Sequence, residues 1–94
     1  MSRWECARCG HGKGQMHDLK IWPHFFSDVL NGTKTFELRR NDRNFECGDD
    51  LLLREWNPET REYTGREIIK HVAMIVTQSE GLAEGWVILG LLPA

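Results

Sequence analysis

A mainly β fold of the α+β class is predicted for this chain: a small barrel of five to six strands with one early α-helix. Three observations support it. Five segments have the alternation or the β-branched, apolar composition of strands. One early segment, from Pro23 to Leu30, has helical spacing instead. Turn signals recur between them. A barrel this small is filled by its own side chains, so any pocket is expected at a mouth or between helix and sheet.

The elements follow in order. Residues 1–15 hold glycines at 10, 12 and 14 and show no period, which predicts a flexible N-terminal extension. The folded domain is expected over 16–94. His17 to Trp22 alternates weakly and reads as the first strand. Pro23 suits the first helical position. Phe25, Phe26, Val29 and Leu30 make one apolar helix face, with His24 and Asp28 opposite. Asn31-Gly32 ends the helix, with Gly32 in the left-handed conformation of a C-cap. Lys34 to Arg40 is the second strand, and Asn41 to Asn44 is a loop anchored by Phe45. Asp50 to Trp56 is the third strand, whose Leu51-Leu52-Leu53 run predicts burial on both faces. Asn57 to Thr60 is a turn, and Tyr63-Thr64-Gly65 closes a hairpin arm. Ile68 to Thr77 and Trp86 to Leu91 complete the strands, with Ser79 to Gly85 connecting them.

Ninety-four residues make one domain. Its core is adequate rather than generous, since a domain this small buries only about 60% of its unfolded surface. No apolar run approaches the ~20 residues of a membrane span, so no membrane partner is expected. The start lacks the apolar stretch of a secretory signal, which makes the cytoplasm the expected location. A net charge of -2 weighs against a protein that coats nucleic acid by bulk attraction. Locally, however, Lys34, Arg39, Arg40 and Arg43 face only Glu37 and Asp42. Such a patch suits one or a few phosphates. A monomer is expected. Three cysteines, an odd number, read as reduced thiols. Cys6-x-x-Cys9 with His11 is half of a zinc site, and a flexible tail is the preferred reading. No metal and no cofactor are called for.

The most informative stretch is Gly32-Thr33-Lys34-Thr35-Phe36-Glu37-Leu38-Arg39, a Gly-x-Lys-x-x-Glu-x-Arg pattern. Strand alternation predicts Phe36 and Leu38 toward the core. It predicts Thr35, Glu37 and Arg39 on the opposite face, with Lys34 swinging over it from the bend. That is the floor of a polar pocket. The plain alternative is a surface salt-bridge trio of roughly 0–1 kcal/mol per pair.

This pattern resembles the signature of ASCH domains in the PUA-like superfamily. The likeness extends to His17-Asp18-Leu19-Lys20-Ile21, Asn41-Asp42-Arg43, Gly48-Asp49, Tyr63-Thr64-Gly65-Arg66 and Gly85 to Gly90, and so covers about 17–91. The resemblance implies a PUA-like barrel with a cleft for RNA or modified nucleosides. The site residues expected are Lys34, Glu37 and Arg39, extended by Arg40 and Arg43. From their positions beside the helix and a turn, Trp22 and Trp56 are the better candidates for base stacking, with core packing the preferred role even for these.

Two other functions stand beside this binding module. The first is a small hydrolase of modified nucleosides or RNA, because the resemblance takes in ASCH relatives that cut RNA and others that are amidohydrolases of acylated cytidine with a Lys-x-x-Thr pairing. Here the third residue after Lys34 is Glu37, which removes the obvious nucleophile. Glu37 as a general base would need burial to raise its pKa, and the neighbouring cations pull the other way. The remaining alternative is a protein-interaction domain whose motif is purely structural.

Overall fold

The computed structural model describes residues 14–94. The expected extension, apart from Gly14 and Gln15, and the half zinc site at Cys6, Cys9 and His11 lie outside the described residues. The elements are β1 (Met16–Ile21), α1 (Pro23–Leu30), β2 (Phe36–Arg40), β3 (Asp50–Asn57), β4 (Glu62–Val76) and β5 (Trp86–Pro93). They form one mainly β sheet that curls into a half-barrel, in the order β1-β3-β4-β5-β2. β1 runs parallel to β3, and the other three pairings are antiparallel. Parallel neighbours need a long crossover, and α1, β2 and the 41–49 loop supply it. The Tyr63 arm and the Ile68 strand are one continuous β4.

α1 starts and stops where its residue types require. Trp22 is the extended N-cap residue, and Pro23 takes the first turn, where no N–H is needed. Gly32 has φ +85°, and its N–H closes the end onto the Val29 carbonyl at 3.2 Å. The buried face is narrower than expected. Phe26 and Val29 are buried, whereas Phe25 and Leu30 are exposed. A two-turn helix against one end of the sheet has room to bury only one short stripe.

The core fills the concave side. Leu19 and Ile21 of β1, Leu51 and Leu53 of β3, Val72 and Ile75 of β4, and Val87, Leu89 and Leu91 of β5 pack with Phe26, Val29 and Phe45. β3 alternates strictly, with Leu52 half-buried between its buried neighbours. The expected two-sided burial therefore gives way to a one-faced strand, because α1 covers only the concave side.

The sheet does not close by backbone pairing, since β1 and β2 are its two edges. Arginines span the gap instead. Arg39 Nη2 donates to the Lys20 carbonyl at 2.6 Å, and Arg43 Nη1 to the Asp18 carbonyl at 2.8 Å. Both acceptors are backbone groups of β1, so the side chains cover an edge that would otherwise be open to strand pairing.

The 41–49 loop is held by Asp49, which is 1% exposed. Its carboxylate accepts from the Gln15 and Glu46 backbone N–H groups and lies 2.8 Å from His17 Nε2. Phe45 is buried edge-on to the His17 ring, as its anchoring role requires. Cys47 is buried and disulfide-bonded, which corrects the reading of reduced thiols at this position. An odd cysteine count excludes a fully paired set but not a single bond. Cys6 and Cys9 lie outside the described residues. Among the described residues, no helix is long and apolar enough to cross a membrane.

Candidate functional site

A cleft of about 650 Å3 opens between the edge strands β1 and β2 and runs under the start of α1. The sequence places its key residues there by simple means. Gly32 turns the chain at the end of α1, and the Lys34 N–H donates to the Asp28 carbonyl at 2.9 Å. Lys34 is thereby pinned where α1 meets β2. From there β2 contributes Glu37, Arg39 and Arg40 to the lining, Arg40 from the strand's end, and the following loop adds Arg43.

The face each residue takes is the reverse of the expectation. Glu37 is 4% exposed, whereas Phe36 and Leu38 are 47% and 52% exposed. Register with β5 decides this. Glu37 lies opposite Leu89 and Arg39 opposite Val87, and both partners point into the core. Cross-strand partners share a face, so the charged residues point into the half-barrel. Phe36 and Leu38 lie with Gly90 and Ile88 on the convex side.

A buried carboxylate requires compensation, and Glu37 has it on both oxygens. Oε1 accepts from Lys34 Nζ, and Oε2 from Arg39 Nε at 3.0 Å. Lys34 Nζ also donates to the Phe36 carbonyl at 2.8 Å and lies 5.3 Å from the Phe25 ring centre and 4.9 Å from that of Phe36. Arg39 divides its fork between Glu37 and the Lys20 carbonyl. The three groups do converge in one recess. They spend much of their hydrogen-bonding capacity on each other and on the β1 edge.

The rim is less committed. Arg40 is exposed, and its guanidinium lies 5.2 Å from the ring centre of Trp86, its cross-strand partner. Arg43 has donors left beyond its bond to β1 and a loose 3.9 Å contact with Asp42. Trp22 lines the cleft and is 56% exposed. Trp56 does not line it. Helical spacing predicts Phe25 on the apolar face toward the core, yet it lines the cleft with Trp86. Neither was a candidate in the sequence. Only the positions of α1 and β5 reveal them.

A second polar cluster lies on β3 and β4. Glu55 is 4% exposed and accepts two bonds from Arg66, both at 3.0 Å, and one from Thr64 Oγ1. The Arg66 hydrogen bonds, then that of Thr64, hold the Glu55 pKa below the usual carboxylate value. Arg66 in turn lies over the Phe26 ring at 4.8 Å. This cluster ties β4 to α1 and is separate from the cleft. Among the described residues no group of histidine, cysteine and carboxylate side chains is arranged to hold a metal.

Comparison with known proteins places the chain in a family. A family model described as a domain of unknown function, DUF3850, matches residues 16–91. The chain is also 36% identical over 75 residues to an uncharacterized 12.9 kDa protein in the GpA 3′ region of Escherichia phage P2. The aligned stretch covers 80% of this chain and 66% of that protein. The family match runs from the first residue of β1 into β5 and includes every residue of the Lys34–Glu37–Arg39 floor. The chain belongs to the DUF3850 family.

Proposed function

We propose that this domain is a binding module for a nucleotide or a short stretch of RNA, held in the cleft between β1 and β2. One observation carries the reading. Lys34, Arg39, Arg40 and Arg43 line the cleft against only Glu37 and Asp42 among the described residues, on a chain whose net charge is -2. Cationic side chains focused in a recess attract a phosphate-bearing ligand even when the whole protein is acidic. Trp22, Phe25 and Trp86 supply ring faces beside those cations, and a base stacked on such a ring gains about 1–3 kcal/mol. A volume near 650 Å3 falls within the range of small-ligand pockets. The likeness of the motif to ASCH domains, with the PUA-like barrel it implies, points the same way.

The roles divide between floor and rim. Lys34, Glu37 and Arg39 form an internally compensated floor that fixes the shape of the recess. Arg40 and Arg43 offer donors to phosphate, and Trp22 offers a stacking face. The hydrolase alternative draws less support. Both Glu37 oxygens are engaged by cations, and among the described residues the cleft lining contains no serine, threonine, cysteine or histidine.

An NMR titration with AMP, the other ribonucleotides and short RNAs tests the proposal. The expected result is saturable shifts at Trp22, Arg40 and Arg43. Arg40→Ala should weaken binding, flatten its salt dependence by about one phosphate contact, and leave the fold intact. Shifts confined to residues outside the cleft, or none at all, would end the reading.

A further inference from the structure

We infer a second nucleic-acid subsite on the convex face, at Trp56 and Tyr63, reached from the cleft across Lys20. The inference rests on the nucleotide-binding reading of the cleft. Lys20 stands at the junction. Its carbonyl is bonded by Arg39 inside the cleft, while its ammonium lies 3.9 Å from the ring centre of Trp56. The same ammonium lies 6.0 Å from the Tyr63 ring, and Arg54 covers that ring at 3.9 Å. Trp56 and Tyr63 oppose each other across the β3–β4 pairing and meet edge-to-face at 4.9 Å. The result is an interleaved row of cation, ring, ring and cation beginning at the wall of the cleft.

The chemistry matches single-stranded nucleic acid rather than an apolar partner. Aromatic faces take bases of any sequence, and adjacent cations take the intervening phosphates. Lys20 has no carboxylate partner among the described residues, so its charge is available to phosphate. Arg54 is held between Asp18 at 3.3 Å and Glu67 at 3.6 Å and serves as a positioned platform. A strand whose first nucleotide fills the cleft therefore continues over the β1 edge onto this row.

The test compares AMP with oligoadenylates and oligodeoxyadenylates of two, four and eight nucleotides, by fluorescence anisotropy and competition. The octamer of at least one series should bind about tenfold or more tighter than AMP, and the series that does so identifies the sugar. Tyr63→Ala and Trp56→Ala should each weaken octamer binding about 5- to 150-fold, as expected for a lost stacking ring. AMP binding should stay within twofold of wild type. Trp56→Phe, which keeps a ring, should recover most of the octamer affinity. Tyr63 is partly exposed, so its variant keeps the test valid if Trp56→Ala unfolds. AMP binding with no gain on lengthening overturns the subsite and leaves the cleft standing. Equal losses for AMP and octamer in the ring variants also overturn it, by showing a structural role. Failure of both ligands to bind overturns the subsite together with the cleft reading.

Discussion

Replacing Glu37 by glutamine probes the most consequential feature of the cleft, a buried carboxylate shared by two cations. The carboxylate accepts one hydrogen bond from Lys34 and one from Arg39, and bonds to charged groups contribute about 1.5–3 kcal/mol each. Glutamine keeps one acceptor oxygen but turns an amide N–H toward the other cation. One strong bond is lost and a donor faces a donor. Lys34 and Arg39 retain 14% and 25% exposure, so water recovers part of the loss. The expected destabilisation is about 2–3 kcal/mol, which in a domain of this size lowers Tm by roughly 10–20 °C. Urea denaturation should show a lower midpoint with an unchanged m-value. A double-mutant cycle with Lys34→Met should give a coupling of about 1 kcal/mol or more. A loss below about 0.5 kcal/mol, the range of an exposed pair, would show that the trio is a surface ornament and refute the buried-floor reasoning.

Two further outcomes concern stability away from the cleft. The folded-state pKa of Glu55 is depressed, chiefly by Arg66, so its contribution is fully present above the unfolded value of about 4.3 and is lost as pH falls through the folded value. The stability gap between wild type and Glu55→Gln should therefore be constant at neutral pH and shrink below about pH 4; thermal melts showing a gap unchanged down to pH 2.5 would contradict the assignment. Gly32 has φ +85° and open space where a Cβ would sit, so Gly32→Ala should cost about 1–2 kcal/mol through backbone strain alone, and a neutral result in chemical denaturation would show that the turn relaxes.

Much of the fold was legible because it rests on local chemistry. Pro23 and Gly32 bracket the helix through one missing N–H and one positive φ. The Asn57 turn is built by its own side chain, whose Oδ1 accepts from the Glu59 and Thr60 N–H groups. The five charged residues stay close together for a different reason: β2 and its loop are continuous in sequence, so Lys34, Glu37, Arg39, Arg40 and Arg43 all reach the cleft lining.

The orientation of β2 was not legible. Phe36-Glu37-Leu38-Arg39 alternates equally well in either sense, and hydrophobicity favours the wrong one. His17 and Asp49, 32 residues apart, gave no signal of the pairing that fixes the 41–49 loop. Phe25 and Trp86 looked like core residues because their neighbours across the cleft come from distant segments.

The order of residues alone thus determined where strands, helix and turns lie and which charges travel together, since those depend on period, φ preference and proximity along the chain. Only the tertiary structure decided which way the charges face. Pairing Glu37 with Leu89 and Arg39 with Val87 turned them inward, and a register between strands fifty residues apart follows from the packing of the whole sheet rather than from any local preference.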